Sequence, residues 1–228
     1  MLASLHCVAN AGGGSSRRSL TIAGSAMKEV LKARFDQNLS RVRNVAEIYE
    51  HKLAGNKQGR RPVGSTDILR AAVVLLHATV EEFLRGILEW RLPDQGETTL
   101  NSVPLVGSGS ERPEKFLLGR LAAHRTKTVD AVIRESVEAS LARSNSNNVA
   151  EIVSALSSIG LDKTPCEPHF GELSALMERR HRIVHRADRN PNRGQGQHSA
   201  SSIGRHHVRE WAQAAQNFFD ATYAQLPD

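Results

Sequence analysis

The spacing of apolar residues constrains the fold of this chain more than any other feature of its sequence. From Met27 onward, apolar side chains recur at steps of three and four residues, with charged residues between them. This is the period of an amphipathic α-helix, whereas a half-buried strand alternates at every second residue. No alternating stretch of useful length and no fixed-period repeat occurs. The pattern predicts an all-α antiparallel helical bundle.

Two long apolar-periodic segments predict the first two helices. The first covers about residues 27–55, and the second covers about residues 65–90 and stops at Pro93, because proline interrupts helical hydrogen bonding. Only a short basic loop separates the two segments. Two long helices joined by a short turn predict an antiparallel hairpin.

The rest of the chain predicts a series of shorter helices. Residues 93–112 are rich in Gly, Ser, Thr and Pro and predict an extended loop. Asn148 precedes Glu151 by three residues, which is typical of a capping box at a helix start. Further helices are expected at about 113–125, 127–143, 148–159, 168–187 and 202–226, with a polar loop over 190–196.

The domain organisation follows from length and composition. A chain of 228 residues fits one domain. Residues 1–26 contain no acidic residue and carry a Gly/Ser/Arg stretch, so we expect a flexible N-terminal extension or a start codon assigned too early, with an organellar transit peptide as the alternative. We expect residues 27–226 to form one helical domain.

Composition narrows the partners and the compartment. The net charge of +6, with more Arg than Lys, favours an anionic partner such as nucleic acid. Cys7 and Cys166 are the only cysteines and form no CxxC motif, which excludes a disulfide framework and fits a reducing compartment. No apolar run approaches the ~20 residues that a membrane span needs. We therefore expect a soluble, cytoplasmic protein that contacts no membrane.

The densest polar cluster of the sequence covers residues 178–189, at the end of a predicted helix. Five arginines fall within residues 179–189. The helix dipole favours some positive charge at a helix C-terminus, but that effect does not account for so many arginines. Histidines lie among them, and His with Arg is the minimum set for RNA cleavage: His transfers protons near neutral pH, and Arg stabilises phosphate charge. This chemistry uses the ribose 2′-OH and needs no metal.

The cluster resembles the motif of the HEPN superfamily, which consists of an Arg, a polar residue directly after it, and a His separated from the Arg by four positions. Here these are Arg180, His181 and His185. Residues 71–85 also resemble the long early helix of the family, especially in its RiboL-PSP-like branch. The resemblance implies a HEPN-like bundle, with extra short helices in the middle, that forms a homodimer with two motif helices facing one cleft. It also implies metal-independent endoribonuclease activity in many members, often in toxin, phage-defence or RNA-processing roles.

Carried over to this sequence, the resemblance makes Arg180 the phosphate-stabilising residue and His185 the acid/base residue. His181, where the family often has Asn or Asp, is expected to orient the substrate. The basic surround adds Arg179, Arg182 and Arg186 as substrate-binding candidates. No cofactor and no metal are expected. The expected partners are RNA, a second copy of the chain and, in some roles, an antitoxin or a nucleotidyltransferase.

Several alternatives stay open at this stage. Five residues turn an ideal helix by about 140°, so Arg180 and His185 converge only if the helix is distorted or if two subunits each contribute one residue. His181 and His185 share a face with zinc-ligand spacing, but neighbouring arginines would oppose a dication. A catalytically inactive nucleotide- or RNA-binding module, or a helical module that binds a partner protein, is the alternative function. His77 is expected to be a satisfied core or interface histidine, and Cys166 to be structural or incidental.

Overall fold

A computed structural model of the chain describes residues 15–53, 63–107, 118–190 and 200–228. Within these ranges the chain forms seven α-helices and no β-strand, which confirms the all-α prediction. The helices are α1 (Ser15–Ile48), α2 (Val63–Arg91), α3 (Glu97–Leu100), α4 (Val129–Leu141), α5 (Val149–Ser158), α6 (Phe170–Arg186) and α7 (Arg205–Tyr223). None of the helices in these ranges is long and apolar enough to cross a membrane.

Helices α1 and α2 form the predicted antiparallel hairpin. Phe35 on α1 lies 5.7 Å from Phe83 on α2 between ring centroids, and one turn away Leu31 meets Gly86. A Cβ at Gly86 would lie 2.5 Å from Leu31 Cδ2, so glycine permits the close approach of the two helices. Helix α1 begins at Ser15 instead of the predicted Met27. The earlier part of the predicted extension, residues 1–14, lies outside the described residues.

Helix α7 packs across the hairpin and completes an aromatic core. Phe219 stacks on Phe35 with ring centroids 4.1 Å apart and lies 4.7 Å from Phe83. Phe218 meets Phe83 edge-on at 6.4 Å. Aromatic content is only 4%, yet these rings come together at one place. Each pair adds about 0.5–1.5 kcal/mol beyond the area it buries, so α7 is held firmly against both long helices.

The middle of the chain differs from prediction in part. The segment predicted as an extended loop contains a 3₁₀ turn over Leu92–Asp94 and the short α3. The helix predicted at 113–125 is a 3₁₀ segment over Leu118–His124, and residues 108–117 lie outside the described ranges. The start of α5 is as predicted: Asn148 Oδ1 accepts from the Glu151 N–H at 2.9 Å, and the Glu151 carboxylate accepts from Asn147 N–H at 2.5 Å.

Helix α6 carries the basic cluster and lies between α2 and α7. It buries Leu173, Leu176 and Met177 against them. It ends at Arg186, and the next two residues, Ala187 and Asp188, have φ angles of 45° and 52°. Two successive non-glycine residues in the left-handed region make an abrupt turn that other contacts must stabilise. The turn places the last two turns of α6 beside the segment that leads into α7.

Candidate nucleic-acid interface

The exposed face of α6 presents two histidines and two arginines of the basic cluster. His181 and His185 are one turn apart, with ring centroids 4.7 Å apart and planes tilted by 44°. Arg182, which is half-buried, and Arg186, which is exposed, are also one turn apart, and residues three and four apart share a helix face. The structure therefore places His181, Arg182 and Arg186 at one cleft, with His185 one turn further along α6 beside His181.

Arg180 lies on a different face of the same helix. It is half-buried, and its charge acts on Glu81 of α2. Helix α6 is α-helical from Phe170 to Arg186, so the angle of about 140° between Arg180 and His185 is retained. The alternative in which a distorted helix brings the two side chains together has no support from this helix.

Three arginines of the cluster make no ion pair within the described ranges, although the charge of Arg180 acts on nearby Glu81. Arg180, Arg182 and Arg186 form no ion pair with any residue of the described ranges, and the Nε atoms of Arg180 and Arg182 are buried without a hydrogen-bond partner. Elsewhere in the same ranges, Arg205 and Arg209 both pair with Glu50. Clustered cations without acidic partners repel one another unless an anion lies between them. Their arrangement fits a phosphate-bearing ligand.

Arg179 has a different environment from the other arginines. Only 7% of the surface of Arg179 is exposed to solvent. Its Nη2 donates to Asp188 Oδ2 at 2.7 Å and to the carbonyl oxygens of Ser201 and Ser202 at 3.0 and 3.1 Å. We predicted from the sequence that Arg179 contacts substrate, but its guanidinium is engaged inside the protein. The structure assigns it to the interior.

Asp188 is the centre of this buried network. It is fully buried, and its Oδ2 also accepts from Arg70 Nε of α2 at 2.8 Å. Its backbone N–H donates to the Arg182 carbonyl at 3.0 Å, and its carbonyl accepts from Ser201 N–H at 2.7 Å. The network joins α2, the end of α6 and the start of the segment before α7. No local sequence pattern indicates this network, although Asp188 is the only acidic residue within residues 179–189.

A second polar pair, His77 and Glu81 of α2, lies near Arg180. His77 of α2 is buried, and its Nδ1 lies 3.2 Å from Glu81 Oε2. Glu81 Oε1 accepts from Ser146 N–H at 3.2 Å. Burial raises the pKa of the Glu81 carboxyl, but His77, the Ser146 amide and the charge of Arg180 together bring the pKa below its ordinary value. His77 is thus a satisfied core histidine, as predicted.

We expect Glu81→Gln to lower stability at neutral pH and to matter less in acid. Because the folded-state pKa of Glu81 lies below its unfolded value of about 4.3, its charge stabilises the fold above that pH. This contribution is lost as the pH falls through the folded-state pKa. Urea unfolding of both proteins between pH 3 and 7 measures it. A constant difference across this range would contradict the prediction, and Glu82→Gln, whose carboxylate is 3.8 Å from Arg34 at the surface, is the control.

A cleft of about 340 Å³ opens beside the exposed face of α6. It is lined by Asn147, Glu178, His181, Arg182 and Arg186. Another groove of about 350 Å³ lies between α1 and α7, where Arg205 and Arg209 share the single carboxylate of Glu50. In the described ranges no group of three or more His, Cys, Asp or Glu side chains is placed to hold a metal ion. The cleft at α6 is the candidate for an anionic ligand, because Arg182 and Arg186 make no ion pair within the described ranges, whereas Arg205 and Arg209 are paired.

Comparison with known protein families gives one match that covers most of the chain. The model of the RiboL-PSP-HEPN family matches residues 36–228. That span includes all of α2 to α7, the basic cluster and the buried Asp188 network. No curated protein and no solved structure gave a match. The match covers well over half of the chain, and the chain belongs to the RiboL-PSP-HEPN family.

Proposed function

We propose that this protein binds RNA at the end of α6 and cleaves it without a metal, by attack of a ribose 2′-OH. The observation that carries the proposal is the exposed face on which two histidines and two arginines without acidic partners lie together. Membership of a HEPN family supports the same function. RNA is favoured over DNA because DNA lacks the nucleophile.

The proposed reaction needs only proton transfer and charge stabilisation. His185 accepts the proton of the 2′-OH, the 2′-oxygen forms a bond to phosphorus, and the bond from phosphorus to the 5′-oxygen breaks. Water or the protonated His185 donates a proton to that leaving oxygen, and the products carry a 2′,3′-cyclic phosphate and a 5′-hydroxyl. Arg180 stabilises the phosphorane charge. Arg182, Arg186 and His181 hold the neighbouring phosphates and the substrate.

The separation of Arg180 and His185 favours a site built from two subunits. Arg180 turns toward α2, whereas His185 lies on the exposed face of α6. In a symmetric homodimer with facing α6 helices, His185 of one protomer can meet Arg180 of the other across the two-fold axis. We therefore propose a homodimer with a composite basic cleft. A toxin, defence or RNA-processing role, an antitoxin or nucleotidyltransferase partner and a cytoplasmic location stay predictions.

Mixing two inactive variants tests this proposal. Arg180→Ala and His185→Ala proteins should each lack activity, and their mixture should recover about one quarter of wild-type cleavage, since half of randomly mixed dimers are hybrids with one intact site of two. RNA cleavage is measured after subunit exchange, and native mass spectrometry verifies that hybrids form. Recovery of no activity despite verified hybrids would show that each site lies within one protomer.

A further inference from the structure

Glu178 is an acidic side chain in the cleft beside α6, which is also lined by Asn147, His181, Arg182 and Arg186. It lies seven residues before His185, so the two side chains share a face of α6 about 10 Å apart along its axis. Glu178 also lies four residues before Arg182, the spacing at which helical ion pairs form, as Lys163 and Glu167 do here. Within the described ranges the Glu178 carboxylate nevertheless makes no ion pair and no hydrogen bond. It is available to a ligand.

Asn147 lines the same cleft from the segment before α5. Its backbone N–H donates to Glu151 Oε2 at 2.5 Å, in the cap that starts the helix. Its side-chain amide makes no hydrogen bond to any residue that the structure describes. A fixed backbone with an unengaged amide gives the cleft a second polar group, and this group can both donate and accept.

The two groups differ from the cations around them in what they can bind. Arg182, Arg186 and His181 suit phosphates, which carry no base identity. A carboxylate repels phosphate and requires N–H donors, and in single-stranded RNA the exposed base edges supply them. Guanine alone offers two adjacent donors, N1–H and the N2 amino group, which match the two carboxylate oxygens. Its O6 lies beside N1–H, where an amide N–H can donate to it.

We propose that Glu178 and Asn147 form a guanine-binding subsite, so that the protein prefers single-stranded RNA with guanosine next to the phosphate at which the RNA is cleaved. The proposal rests on the proposed function, because the cleft is the one assigned to RNA. Adenine and cytosine place a lone-pair nitrogen beside their amino group, and this lone pair opposes the second carboxylate oxygen. Uracil has one N–H between two carbonyl oxygens.

Binding of uncleavable RNA tests the subsite independently of cleavage. Two fully 2′-O-methylated uridine oligomers carry a single central guanosine or adenosine, and their affinities for wild-type protein are compared by fluorescence anisotropy. The guanosine oligomer should bind on the order of tenfold more tightly, the range for one bidentate contact to a base. Inosine, which lacks the N2 amino group, should fall between the two.

The variant Glu178→Gln should remove this preference, because its amide replaces one acceptor with a donor. It also removes a negative charge and can tighten binding of every oligomer, so the guanosine-to-adenosine ratio is the readout. Glu172→Gln, at an exposed position in the first turn of the same helix, is the matched control and should keep the ratio. Equal wild-type affinity for both oligomers, or a preference that Glu178→Gln retains, would overturn the proposal. If the protein prefers guanosine but cleaves no RNA, the result would support the guanine subsite and count only against the proposed nuclease activity.

Discussion

The His185→Ala protein should cleave RNA at least about a hundredfold more slowly than the wild type, while its fold and RNA affinity are unchanged. The factor is the lower end of what one positioned acid/base group contributes. His185 is exposed on the last turn of α6, and its only ring contact within the described ranges is with His181. Its loss therefore removes proton transfer without removing packing. Single-turnover cleavage, thermal unfolding and filter binding measure the three quantities.

A second exposed histidine provides the control for this experiment. His206, in the first turn of α7, has its ring centroid 3.9 Å from that of His207, with the planes tilted by 39°, and it lines neither the α6 cleft nor the groove between α1 and α7. We expect His206→Ala to cleave at the wild-type rate. If His185→Ala retained a rate near that of His206→Ala, His185 would not be the acid/base residue. Loss of RNA affinity in His185→Ala would point to a binding role instead.

The Asp188→Ala protein should lose about 3–5 kcal/mol of its free energy of unfolding, as expected when one partner of a buried ion pair is removed. The guanidinium groups of Arg70 and Arg179 would then be buried without their shared carboxylate. Burial already lowers the pKa of Arg179, and the charge of Asp188 opposes this effect. Alanine is also less tolerant than aspartate of the φ angle of 52° at this position.

A second ion pair of Arg70, with Asp67, provides the control for the Asp188→Ala variant. Asp67 Oδ1 lies 3.1 Å from Arg70 Nη1, but its side chain is 61% exposed. We expect Asp67→Ala to cost no more than about 1 kcal/mol, because solvent screens exposed pairs. Urea unfolding compares the two, and Asp188→Asn, which keeps the side-chain shape, serves if Asp188→Ala fails to fold. Equal losses for Asp67→Ala and Asp188→Ala would show that the buried network contributes little.

The network also bears on the geometry of the site. Asp188 follows His185 by three residues, and its backbone N–H closes the last turn of α6 onto the Arg182 carbonyl. The same carboxylate joins this turn to Arg70 on α2. The directions of the His185 and Arg186 side chains therefore depend on contacts made at the other side of α6. A site that uses these residues needs this turn to be fixed.

The sequence alone was enough to predict the features that depend on local periodicity. The α1–α2 hairpin follows from two long segments with helical spacing of apolar residues, and the Asn148–Glu151 cap follows from two residues three positions apart. The angle of about 140° between Arg180 and His185 follows from ideal helix geometry. Each of these depends on neighbours in sequence, so residue order is sufficient to predict it.

Contacts between distant residues could not be predicted in the same way. Arg70 and Asp188 are 118 positions apart, and nothing local indicates that they meet. For this reason we counted Arg179 among the substrate contacts, although it faces the interior beside Asp188. Composition shows how many arginines a helix end carries, but tertiary packing decides which of them reach solvent. Glu178 and Asn147 line one cleft only because α5 packs against α6.

The most direct test of the central claim is the chemistry of the RNA ends that the wild-type protein produces in excess EDTA. Purified protein is incubated with single-stranded and structured RNA, and the new ends are analysed by sensitivity to phosphatase and kinase. We predict cleavage that EDTA does not reduce, with 2′,3′-cyclic phosphate and 5′-hydroxyl ends. Cleavage that requires a divalent cation, or that leaves 5′-phosphate ends, would contradict the account.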